Sequence, residues 1–82
     1  MKLSILVLED EPEVRAAIER DLMQLAPTIR IEPAEDVEDA WEVIGEILDD
    51  GDLLAVALCD HRLPGTTGVD FMIEMAHDPD LA

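Results

Sequence analysis

Two places in this 82-residue chain concentrate side chains able to do chemistry, and both are acidic. Glu9-Asp10-Glu11 directly follows one apolar run, and Asp60 directly follows another. Carboxylates gathered within a few ångströms repel one another unless a cation or a proton intervenes. Oxygen-only ligands favour a hard divalent ion such as Mg²⁺, with water completing the octahedron. Beside such an ion a carboxylate can attack phosphorus, because the metal neutralises the incoming phosphate. Asp10 and Glu11 also admit a structural reading. Asp10 followed by Glu13 matches a helix N-cap with its capping-box partner, and for Asp10 and Glu11 alone capping is the favoured expectation. Asp60 follows an apolar strand and precedes a loop, so capping does not explain it.

The elements that must position these acids alternate along the chain. Leu3 to Leu8 is a near-continuous apolar run with β-branched members, which suits a strand buried on both faces. Pro12 can occupy the first turn of a helix, and Val14, Ala17, Ile18, Leu22 and Leu25 recur at helical spacing until Pro27. A weak second strand is expected over Thr28 to Ile31. Val37, Ala40, Trp41, Ile44, Ile47 and Leu48 form a second helical stripe, with Gly51 just past its end. Leu53 to Cys59 is again a continuous apolar strand. His61 to Gly68 has the Pro-Gly and Thr-Thr-Gly content of a loop. A short third helix with Val69, Met72, Ile73 and Ala76 closes at Asp78-Pro79.

The order β-α-β-α-β-α predicts a parallel sheet with helices on both faces. Functional groups in such sheets gather beyond the carboxyl ends of the strands. If the first and third strands are neighbours, Glu9, Asp10 and Asp60 converge at one edge.

Composition narrows the function classes. Five basic residues against 21 acidic ones give a formal net charge of -16, which repels DNA and anionic membranes. Aromatic residues are only 2%, too few for a stacking platform for single-stranded nucleic acid. The single Cys excludes an internal disulfide. The N-terminus has neither the pattern of a signal peptide nor ~20 consecutive apolar residues, so a cytoplasmic, soluble protein is expected. No Lys or Arg falls between Arg30 and Arg62, a stretch in which acidic residues from Glu32 to Asp60 read chiefly as a solvated face. A domain this short buries ~60–65% of the surface its unfolded chain exposes, which leaves its stability marginal.

The pattern ILVLEDEP, followed by DHRLPGTTG after the third strand, resembles the receiver domain of two-component response regulators. The spacing between Glu9-Asp10 and Asp60 matches, as does Asp60, two variable residues, Leu63-Pro64 and Gly68. The resemblance covers essentially all of residues 1–82. It implies a flavodoxin-like (CheY-like) α/β/α fold, here its first three β-α units with sheet order 2-1-3. It further implies Asp60 as phosphoacceptor and Glu9 and Asp10 as holders of Mg²⁺, with the backbone carbonyl of Arg62 as a further ligand. Binding of the ion is expected to be weak. The phosphoryl group would come from a sensor histidine kinase, a phosphotransfer protein or a small phosphodonor. The implied role is phosphorelay signal transduction, with no enzymatic action on an outside substrate.

Two departures from the family pattern stand out. The first acid is Glu9 where Asp is usual, and its extra methylene moves the carboxylate about 1.5 Å. The fourth and fifth β-α units, with a hydroxyl residue and a Lys that bind phosphoryl oxygens, have no counterpart in these residues. Their absence favours a rival reading, a phosphorylation-independent interaction or oligomerisation module derived from a receiver. A small acid phosphatase using Asp60 would commonly carry a second Asp two residues on, where this chain has Arg62. His61 occupies a position that varies in the family. Cys59, Phe71, Met72 and Met75 read as core residues, His77 as a surface residue near a helix end, and Thr66 and Thr67 as turn residues. In order 2-1-3 the third strand becomes an apolar edge, and part of the first helix stripe (Val14, Ile18, Leu22, Leu25) stays wet. A homodimer joined antiparallel through the third strands is therefore expected.

Overall fold

The computed structural model describes residues 1–59, 62, 63 and 66–81. Its first strand, β1 (Leu3–Leu8), is the centre of a three-stranded parallel sheet. β2 (Arg30–Ala34) flanks it on one side and β3 (Leu53–Cys59) on the other, giving the order β2-β1-β3. Central position accounts for the apolar run of β1: Ser4, Leu6, Val7 and Leu8 are all fully buried. Successive side chains alternate faces. Leu6 and Leu8 enter the main core with Ala34, Ala40, Val43, Ile44, Ile47 and Phe71, while Val7 is buried on the opposite face.

Helix α1 (Pro12–Leu25) begins at the predicted proline and ends before Pro27. It serves the thinner face. None of its residues is fully buried; Ile18 and Leu22 are half-covered, and Val14 and Leu25 lie open. Helix α2 (Val37–Asp49) supplies Ala40, Val43, Ile44 and Ile47 to the main core. The Asp36 carboxylate accepts the Asp39 N–H at 2.7 Å, satisfying a donor of its first turn. At the other end Gly51 adopts φ +78°, the left-handed geometry that a residue with Cβ resists. Gly51 N–H donates to Leu48 O and Asp52 N–H to Ile47 O, both at 3.0 Å, so the chain reverses directly into β3.

Four expectations need correction. The second strand runs Arg30–Ala34 rather than Thr28 to Ile31. Pro33 does not end it, because β2 is an edge strand. Ala34 O accepts from Glu9 N–H, so the neighbouring Pro33 nitrogen faces away from the ladder, where a missing donor costs nothing. The stretch expected as a loop contains β4 (Arg62–Leu63) and β5 (Thr66–Thr67), paired antiparallel. Thr67 is not a turn residue: it is the N-cap of α3 (Gly68–Ala76), its hydroxyl accepting the Asp70 N–H at 3.1 Å. Met72 is half-exposed rather than core, whereas Phe71 is buried and meets Trp41 edge-on, ring centroids 5.4 Å apart. His77 lies exposed at the end of α3 as expected, its Nδ1 2.8 Å from Ile73 O.

Among the described residues no helix is long and apolar enough to cross a membrane.

Candidate functional site at the carboxyl ends of the first and third strands

Parallel pairing sets Leu8 opposite Cys59, the last residues of β1 and β3. Glu9 continues the β1 ladder by donating its N–H to Ala34 O at 3.0 Å. Its side chain, half-buried, accepts the Glu11 N–H through Oε1 at 3.2 Å. Arg15, in the first turns of α1, donates from Nη1 to Glu9 O at 2.9 Å and its own N–H to Glu11 O at 2.9 Å. The β1–α1 turn is thus tied at both ends, and a guanidinium stands beside the acidic triplet. The sequence signal for Arg15 was available: it is the only cation between Lys2 and Arg20, one helical turn beyond the triplet.

The capping reading of Asp10 and Glu11 does not hold. α1 starts at Pro12, its N-cap position is Glu11, and that side chain makes no cap hydrogen bond. Proline supplies no N–H at the first position, and Asp10 lies one residue too early to reach the first-turn donors. Asp10 is exposed and leaves its carboxylate to solvent. Next to Glu9, a recess of about 120 Å³ is lined by Val7, Leu8, Ile18, Leu58 and Cys59. The Cys59 thiol is half-buried there, and desolvation pushes its pKa upward, so it stays protonated and inert as a nucleophile at neutral pH.

Asp60 and His61 lie outside the described residues. Arg62, whose carbonyl the resemblance assigns to the metal, is in β4 opposite Thr67. The described residues contain no group of three or more Asp, Glu, His or Cys side chains able to hold a metal ion. Glu9 and Asp10 supply two carboxylates of the expected set, and oxygen donors of this kind suit Mg²⁺.

A different cluster, not anticipated, sits at the opposite end of the sheet. Arg30 donates from Nε to Glu32 at 2.8 Å and from Nη1 to Asp50 at 2.8 Å and Asp52 at 3.0 Å. Asp52 also accepts the Lys2 N–H at 2.8 Å. That bond, chiefly, and the Arg30 guanidinium hold its carboxyl below the usual range, while Arg30 is raised by its three acids. This cation ties the starts of β2 and β3 to the end of α2. Its role is structural.

Neither protein-family models nor curated proteins produced a match to this chain. The fold itself defines a small α/β protein whose parallel sheet, in order 2-1-3 with three helices, is compatible with a flavodoxin-like layout.

Proposed function

We propose that the chain is a receiver-type phosphoacceptor in two-component phosphorelay signalling, with Asp60 as the acceptor. The observation that carries this reading is the register of β1 and β3. Leu8 and Cys59 are partners, and they immediately precede Glu9 and Asp60 in the sequence. Failure of Asp10 and Glu11 to cap α1 adds support, since the structural use of those acids is not made. In the proposed step an Asp60 carboxylate oxygen attacks the phosphorus of a donor, either a phosphohistidine or a small acyl phosphate. The P–O bond of an aspartyl phosphate forms as the donor P–N or P–O bond breaks, and imidazole or carboxylate departs with the electron pair. Glu9, Asp10 and Asp60, with the carbonyl of Arg62, would hold Mg²⁺, which neutralises charge on the transferring group. Arg15 holds the β1–α1 turn so that Glu9 and Asp10 keep their place. A kinase or phosphotransfer protein is the partner and a cytoplasmic site the setting. No outside substrate is turned over.

Incubation with acetyl phosphate and Mg²⁺, followed by mass spectrometry, tests the proposal. One phosphoryl group should appear on Asp60, slowly and incompletely, and Asp60→Asn should remove it. Labelling that survives Asp60→Asn overturns the assignment. A second reading, a phosphorylation-independent interaction module, draws on the open outer side of β3, with which no strand pairs among the described residues. Absence of any label in a folded sample would favour it.

A further inference from the structure

A guanidinium stands beside the acidic β1–α1 turn, yet it neutralises none of that turn's carboxylates. Glu9, Asp10 and Glu11 precede Arg15 within six residues, and Glu19 follows one helical turn later. Among the described residues Arg15 forms no ion pair with any of them. Its hydrogen bonds go to main-chain carbonyls instead. Nη1 donates to Glu9 O and the Arg15 N–H donates to Glu11 O, both at 2.9 Å. Asp10 lies between the two residues so held.

Glu9 is fixed at two further points. Its N–H donates to Ala34 O at 3.0 Å, and its Oε1 accepts the Glu11 N–H at 3.2 Å. The backbone entering and leaving Asp10 is therefore set by β2 on one side and by Arg15 on the other. The Asp10 carboxylate itself is exposed to solvent, so only that backbone decides where it stands.

We infer that Arg15 is a positioning residue that strengthens cation binding at this turn, acting through the Glu9 carbonyl. The inference rests on the reading of Glu9 and Asp10 as holders of Mg²⁺. Charge alone predicts the reverse. A guanidinium near a divalent ion repels it, and deleting that charge would tighten binding several-fold at low salt. Geometry acts in the other direction. Mg²⁺ demands near-ideal octahedral placement of its ligands. A loosened turn would have to be ordered when the ion binds, at a cost in conformational entropy. Groups that orient metal ligands from behind typically account for about 10–100-fold in affinity, which exceeds the screened repulsion. Because Arg15 pairs with carbonyls, the carboxylate charges of the turn remain in place for the ion.

Calorimetric titration of the full chain with Mg²⁺, in ~0.05 M and ~0.5 M NaCl, sets the two effects against each other. Arg15→Gln removes the charge and is too short to reach the carbonyl. It should weaken binding about tenfold or more at both salt concentrations. Arg15→Lys keeps a donor on a long stem and should return the affinity to within a few-fold of native. Arg15 is half-buried near the start of α1, and Gln and Lys are good helix formers, so the fold should persist. Arg15→Met, which keeps the aliphatic stem, takes the place of a glutamine variant that does not fold. Nuclear magnetic resonance supplies a readout without metal: the Asp10 and Glu11 amide signals should shift or broaden in Arg15→Gln and stay near native in Arg15→Lys. Affinity in Arg15→Gln equal to or tighter than native overturns the inference and leaves the metal reading standing. So does a loss that Arg15→Lys fails to reverse. A folded native chain that binds no Mg²⁺ at millimolar concentration removes the metal reading itself, and this inference with it.

Discussion

Leu8 on β1 and Cys59 on β3 are parallel register partners at the carboxyl end of the sheet, separated by 50 residues of chain. Every helix and turn between them contributes to that placement. α1 and β2 carry the chain away and back along one side of β1. α2 and its Gly51 reversal then deliver β3 to the other side. The candidate site depends on this relationship, because the residue after Leu8 is Glu9 and the residue after Cys59 is Asp60.

Asp10→Asn separates a ligand role from a cap role. A cap deletion costs about 1 kcal/mol, but Asp10 caps nothing, so urea unfolding should show a change within about 0.5 kcal/mol. Calorimetric Mg²⁺ affinity should fall instead. A stability loss with unchanged affinity would restore the capping reading.

Asp36→Ala and Thr67→Ala remove the caps that are made. Each takes away an acceptor of a first-turn N–H, at 2.7 Å and 3.1 Å respectively. Denaturant midpoints should drop by the equivalent of about 1 kcal/mol for each. The larger effect is expected at Asp36, because α2 holds four core residues and α3 two buried ones.

The Ser4 hydroxyl is fully buried beside the β3 bulge and has no hydrogen-bond partner among the described residues. An unsatisfied buried polar group costs ~1–3 kcal/mol. Ser4→Ala should therefore raise the urea midpoint by the equivalent of roughly 1 kcal/mol, and a loss of stability would show that the hydroxyl is satisfied in solution.

Arg30 predicts an acid limb. The Asp52 carboxyl is held below its ordinary value by the Lys2 N–H and by Arg30, so the folded state favours its ionised form. Its contribution is present above the unfolded carboxyl pKa of about 4 and is lost as pH falls through the depressed folded value. Arg30→Gln should flatten the fall of thermal midpoint below about pH 4. It should also lower the midpoint at neutral pH, most in low salt, by leaving Glu32, Asp50 and Asp52 uncompensated.

Phe71→Ala should be the most damaging of these substitutions. The ring is 1% exposed and packs edge-on against Trp41. Deleting a buried aromatic ring costs about 3–5 kcal/mol, a large share of the stability of so small a domain. Red-shifted Trp41 emission would report the lost contact, and an unchanged spectrum would place the indole elsewhere.

The local grammar of the fold was legible in the residues themselves. The apolar run Leu3–Leu8 announces a central strand, Pro12 and Pro27 bracket α1, and the stripe from Val37 to Leu48 marks α2, because burial imposes periodicity on one stretch of chain at a time. The same alternation implies a parallel sheet, whereas the order 2-1-3, which the sheet has, was implied by the resemblance to receiver domains and not by the alternation. Features that depend on a distant partner were decided only by tertiary structure. Pro33 stays in a strand because its nitrogen faces away from β1. Leu53–Cys59 reads as buried, yet none of it is fully covered, since hydropathy cannot tell an inner strand from an outer one. Arg30 finds Asp50 and Asp52 at 20 and 22 residues' remove, and Arg15 finds the Glu9 carbonyl. Asp10 and Glu13 spelled a capping box that the chain does not use, because the helix begins one residue later than that pattern requires. Sequence periodicity records which face of an element is apolar; what covers that face, and which ions meet across it, is set by how the elements assemble.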